Sequence, residues 1–221
     1  MAGARLIYAT GRRRCPVAGN GMRFEYGDET DRRLVQSLQH EYMRCRDAFG
    51  AFVLCAPSLI DPNGHRTDKY FAYNAYARLI HHLYEFLMGC ASRRQGDTRP
   101  LRAEQADRLV TDHLQRILTA RRRAILAGQA PSWENGLEAY PETAPSDFAS
   151  SFRRHRNVAL AHVAPDRSVL DLSDFYSSSH RYLVMMLEDA SFAWGPRGGE
   201  LPDLGAITAF SIGAPVTPVQ G

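Results

Sequence analysis

Residues 28–57 read DETDRRLVQSLQHEYMRCRDAFGAFVLCAP, and this stretch decides the fold class. Val35, Leu38, Tyr42, Cys45, Phe49 and Phe52 recur at steps of three and four residues. That spacing lays one apolar stripe along a helix, with charged residues on the opposite face. Asp28 or Thr30 can cap its start through a side-chain oxygen, and Pro57 stops it because proline cannot continue the hydrogen-bond ladder.

Working outward, the same pattern returns. Asp61-Pro62-Asn63-Gly64 is a turn. A second helix is expected from about Thr67 to Ala91, with a stripe of Tyr73, Tyr76, Ile80, Leu83, Leu87 and Cys90. After a polar break at 93–100, a third runs from about Leu101 to Ala127. It turns Leu109, Val110, Leu114, Ile117, Leu118 and Ile125 inward and carries Arg121, Arg122 and Arg123 near its end, where cations suit the negative end of the helix dipole. Residues 128–145 hold glycines and prolines and read as a long connection, pinned to the surface by Trp133 and Tyr140. Ser146 then caps a fourth helix, closed by Pro165. A fifth, from about Asp171 to Ala193, buries Leu172, Phe175, Leu183, Met186 and Leu187. The expectation is an all-α, up-and-down bundle of about five helices over 29–194. Residues 1–28 read as an arm or small hairpin, and 195–221 as a Gly- and Pro-rich tail.

Composition narrows the function classes. The chain has 221 residues, enough for one domain with a sizeable core, and a formal net charge of only +3. Bulk charge therefore does not announce a nucleic-acid binder. Lys69 is the single lysine, so 26 of the 27 basic residues are arginine. The bland reading of that bias is a GC-rich coding sequence. Arginine clusters at 12–14, 121–123 and 153–156 nevertheless suit phosphate contacts if they converge. Cys15, Cys45, Cys55 and Cys90 lack C-x-x-C spacing, which argues against zinc and against a disulfide framework. Without an apolar leader or a run of about 18 apolar residues, the expected location is the cytoplasm and no membrane partner is expected.

The densest chemistry lies in residues 151–162, SFRRHRNVALAH. Arg156 supplies a fixed forked cation, Asn157 an amide, and His162 an imidazole that changes charge near neutral pH. Their bland counterparts are a solvated arginine face and a histidine capping helix carbonyls. On a straight α-helix, Arg156 and His162 stand about 120° apart, so one copy alone does not converge them on a phosphate.

Arg156-Asn157-x-x-x-x-His162 resembles the R-x(4–6)-H signature of the HEPN domain family, in which a polar residue commonly follows the arginine. The position in the fourth of five expected helices agrees with that resemblance. It implies a metal-independent endoribonuclease, without cofactor, of the toxin or host-defence type. It implies a homodimer whose two motif helices build a composite cleft, and a cognate antitoxin protein as partner. Arg156, Asn157 and His162 are then the catalytic residues. Arg153, Arg154, His155, Arg121, Arg122 and Arg123 are expected to contact RNA, and His155, two turns before His162, is also a candidate second proton carrier. Glu85 is a candidate partner for an inward arginine such as Arg156. Some family toxins carry a tyrosine two residues after the histidine as a modification site; this chain has Ala164 there. The competing expectations are an inactive HEPN-like module that binds RNA or protein, and a structural dimerisation bundle.

Overall fold

The structure is a computed structural model and describes residues 21–61, 63–161, 165–195 and 202–207. The described residues form helices and connecting turns, with no strand beyond one isolated bridge between Arg23 and Asp97. Six α-helices follow in order: α1 Glu29–Cys55, α2 Pro57–Ile60, α3 Arg66–Gln95, α4 Ala103–Leu126, α5 Phe148–Arg156 and α6 Leu172–Trp194. The all-helical class is thus as expected. The extra helix arises at Pro57, which ends α1 and then opens the four-residue α2. Proline's fixed φ and missing N–H are tolerated in a first turn.

Asp28 caps α1, its carboxylate accepting from the Asp31 N–H at 2.8 Å. Asp31 itself is buried and takes two bonds from Arg93, at 2.7 and 3.2 Å, which ties the start of α1 to the end of α3. Gly96 ends α3 with φ +61°, a left-handed conformation glycine adopts without steric cost. Gly89 matters for another reason: a Cβ there would lie 2.6 Å from Leu38 Cδ2, so its absence lets α1 and α3 approach closely.

α3 is the central helix. The sequence reading assigned it one stripe, yet Ala72, Ala75, Ala77, Leu79, Tyr84, Phe86 and Ala91 are buried as well. The reason is tertiary: α1, α4, α5 and α6 all pack on it, so most of its circumference faces protein. The core joins Tyr42 and Phe52 of α1, Leu79, Ile80, Leu83 and Phe86 of α3, and Leu114 and Leu118 of α4. Phe152 of α5, with Tyr182 and Met186 of α6, completes it.

The long connection at 128–145 is fastened differently from the expectation. Trp133 is 76% exposed, whereas Tyr140 is buried and hydrogen-bonds Glu134. Gln115 of α4 donates to the Glu142 carbonyl and accepts from the Ala144 N–H, each at 2.8 Å, and Arg121 and Arg122 add further bonds. Arg121 pairs with Glu134 at 2.6 Å and Glu188 of α6 at 2.7 Å; Arg122 donates to the Leu137 carbonyl at 3.3 Å, to the Tyr140 carbonyl, and to Glu142 at 3.0 Å. Residues 21–28 do not form a hairpin of their own. They pair with the segment after α3, Phe24 donating to the Gly96 carbonyl at 2.9 Å. In the segment expected to be a tail, Leu204 is buried and the short 3-10 turn Gly205–Ile207 packs on α1. Residues 1–20, with the Arg12–Arg14 cluster, lie outside the described residues.

Candidate functional site

α5 begins after Asp147, which stands at the N-cap without a side-chain bond, one residue later than the expected Ser146 cap. Phe148 and Phe152 anchor it. The Phe152 ring meets Tyr84 of α3 edge-on at 5.3 Å between centroids, and the Phe148 ring meets Tyr182 of α6 at 5.4 Å. This packing sets the rotation of α5 and thereby where each arginine points. Arg153 reaches α4 and grips Asp107 with two bonds of 2.8 Å. Arg154 points to solvent, without a partner among the described residues.

His155 is turned the other way. It is 8% exposed, its Nδ1–H donates to the Ser151 carbonyl at 2.8 Å, and its ring stacks on Phe175 of α6 at 4.1 Å. The expected roles of His155 in RNA contact and proton transfer do not fit a ring closed between two helices; it is a core histidine. The sequence could not show this, because the burying partner comes from α6.

Arg156 is the last α-helical residue, and from Asn157 to Ala161 the chain continues as a π-helix. The single straight helix behind the expected 120° separation of Arg156 and His162 therefore ends at Arg156. Such widened turns recur at functional sites because they re-aim side chains at the expense of regular hydrogen bonding. Arg167 donates to the Val158 carbonyl of this turn at 3.1 Å. His162 lies outside the described residues, as does Ala164.

Three groups hold the Arg156 guanidinium. One Nη donates to the Asn157 side-chain oxygen at 2.8 Å, the other donates to the Glu85 carboxylate, and the plane lies over the Tyr84 ring at 5.6 Å. Arg156 Nε is buried and unpaired. The side chains of Arg156 and Glu85 are 23% and 36% exposed, so the pair faces solvent in part. The expected partnership of Glu85 with Arg156 is thus present.

His81 and His82 of α3 are both half-buried, and the charges of Glu85 and Arg156 act on His81. His81 precedes Glu85 by four residues, one helical turn, so the two share a face of α3. Its Nδ1 is buried without a partner. Burial pushes the His81 imidazole below its ordinary value; Glu85 pulls it up, and the charge of Arg156 pushes it down. His81 is consequently neutral at pH 7, able to accept a proton. The His82 ring stands edge-on to His81 at 5.3 Å and bonds Glu41 of α1 at 2.7 Å. Burial raises the Glu41 carboxyl, but the His82 hydrogen bond and charge outweigh it and hold the group below the usual range. Glu41 and His82 are tied to each other, whereas His81 Nδ1 has no hydrogen-bond partner among the described residues. The one-turn spacing of His81 and Glu85 is legible in the sequence, as is the candidate pairing of Glu85 with Arg156; that His81 joins them is set by the docking of α5 on α3.

Among the described residues, no group of three or more His, Cys, Asp or Glu is arranged to hold a metal ion, and no helix is long and apolar enough to cross a membrane. The apolar surroundings of Cys45 and Cys90 raise both thiols, Cys90 to about 12, so neither is a thiolate nucleophile at neutral pH. Comparison with the models of known protein families, with curated proteins and with solved structures finds no match to this chain.

Proposed function

We propose that the chain is a metal-independent endoribonuclease with a HEPN-like site, acting as a homodimer of the toxin or host-defence type. The observation that carries this reading is the held Arg156: Glu85 and Asn157 fix its fork at the α-to-π junction, with the neutral His81 one turn from Glu85. A preorganised guanidinium stabilises charge that develops on phosphate oxygens without reorganising during the reaction. In the proposed step an RNA 2′-oxygen attacks the adjacent phosphorus and loses its proton to a neutral imidazole. The 5′-oxygen leaves and takes a proton, giving a 2′,3′-cyclic phosphate and a 5′-hydroxyl. His162 of the R-x(4–6)-H pattern carries one of these proton transfers and His81 is suited to the other.

A second reading also has an observation in its favour. The Arg156 fork is already neutralised by Glu85, which suits an inactive module that binds RNA or a protein partner. One experiment separates the two. The protein is incubated with RNA in EDTA, the product termini are identified, and the mass is measured by ultracentrifugation at micromolar concentration. Cyclic-phosphate ends from a dimer support the enzyme; bound but intact RNA supports the module.

A further inference from the structure

The face of α3 that turns away from the core is a continuous and chemically ordered surface. Asn74, Arg78, His81 and Glu85 follow at steps of four, three and four residues, one helical face. Arg78 is exposed and has no partner among the described residues, and the other three are half-buried. At the N-terminal end of this face stand Tyr70, 64% exposed, and Phe71, 53% exposed, their ring centroids 6.0 Å apart. The Asn74 amide donates to the Tyr70 carbonyl at 2.9 Å and so sits against the first turn. At the other end is Glu85 with Arg156. The face is bordered by α1 on the side where His82 bonds Glu41. It is bordered by α5 on the side where Tyr84 lies beneath Arg156. From Phe71 to Glu85 it runs about 21 Å along the helix.

We propose that this face is a track for single-stranded RNA, with a base stacked on Tyr70 or Phe71, a phosphate held by Arg78, and the strand delivered to Arg156. The proposal rests on the reading that the Arg156 site takes RNA. Proteins that bind single strands without sequence readout combine exposed rings, on which any base can stack, with cations that follow the backbone. Both are present here in one line that ends at a held guanidinium. The carboxylates beside the line do not oppose it strongly: Glu85 is paired with Arg156, and Glu41 with His82 and Arg44. A protein partner would be served equally well by the rings, but it would not require Arg78 and Arg156 to continue their line.

The test is fluorescence anisotropy with a fluorescein-labelled, mixed-sequence hexaribonucleotide, 2′-O-methylated so that it stays intact, in EDTA. Phe71→Ala and Tyr70→Ala should each weaken binding by about 5- to 150-fold. Arg78→Ala should weaken it and flatten the salt slope by about 0.7. Arg94→Ala, an exposed cation near the other end of α3, should bind as the unaltered protein does. Cleavage of the unmodified hexamer is followed in parallel. Binding that depends on Phe71 and Arg78 without cleavage upholds the track and overturns the ribonuclease reading. Cleavage with unaltered binding in the three variants overturns the track alone. Absence of binding overturns the track, and absence of binding together with absence of cleavage overturns both readings. A lower oligomeric mass in Phe71→Ala with unchanged RNA affinity assigns the rings to a protein interface instead.

Discussion

Arg156 and Glu85 are 71 residues apart in the chain and meet as an ion pair that joins the last turn of α5 to the middle of α3. The pair fixes the guanidinium while leaving part of it exposed. Its place beside His81, at the point where α-helix gives way to π-helix, makes it the reference for each expected outcome below.

On the proposed mechanism, Arg156→Ala and His162→Ala should each abolish RNA cleavage while circular dichroism and the sedimentation mass stay unchanged. The loss for His162 should be on the order of 10²–10⁴-fold, the usual worth of a positioned acid or base. Arg156→Lys should fail too, because lysine keeps the charge and loses the fork. A 2′-deoxy nucleotide at the cut site removes the nucleophile and should stop the reaction. Cleavage of all-DNA substrates would rule out this mechanism.

Glu85→Gln keeps the shape of the side chain and removes its charge. Arg156 then gains freedom and loses its neutralising partner. Turnover should fall by about 10- to 100-fold, the cost of a misplaced catalytic group, while RNA affinity holds or improves. Separate measurement of kcat and of Kd for an uncleavable analogue checks the split. Equal losses in both would assign Glu85 to folding.

The arginine clusters should divide by their partners. Arg121→Glu places like charge against Glu134 and Glu188 and should lower the melting temperature by loosening the 128–145 connection. Arg123→Glu and Arg154→Glu alter exposed side chains. They should leave the melting temperature unchanged and reduce the salt slope of RNA binding by about 0.7 for each phosphate that is no longer neutralised. Melting curves and salt titrations of the same variants decide it.

His113 of α4 carries a pH signature. Burial first, and then the charge of Arg116, push its imidazole down to about 4, against the opposite pull of Asp189. Arg116 donates to its Nδ1 at 2.6 Å, so the neutral ring carries its proton on Nε2. The unfolded chain takes up the extra proton near the ordinary histidine value of 6.5. Between these two values the unfolded state holds more protons, so stability is complete above about pH 6.5 and is lost as the pH falls towards 4. The loss should be on the order of 3 kcal/mol. His113→Leu should remove this part of the acid sensitivity: urea unfolding of both proteins at about pH 7 and about pH 4.5 should show the unaltered protein losing more stability than the variant as the pH drops.

Local physics made several elements legible in the sequence alone. The three- and four-residue spacing from Val35 to Phe52 determined α1, because a period near 3.6 puts one stripe on one side whatever the helix packs against. Asp28 and Asp171 marked helix starts for the same local reason, a side-chain oxygen within reach of free backbone N–H groups. The sequence likewise singled out Arg156 and Asn157, since a fork, an amide and an imidazole fall together between Arg156 and His162. Beyond the Glu85 pairing, tertiary structure decided what surrounds them. His155 reads like its arginine neighbours until Phe175 of α6 closes over it. Arg121 and Arg122 read as free cations until the 128–145 connection folds back onto them. His81 gains its place beside Arg156 only because Phe152 and Tyr84 dock α5 on α3. A residue's periodicity and charge belong to its own helix, but burial and partnership depend on which helix arrives from elsewhere in the chain.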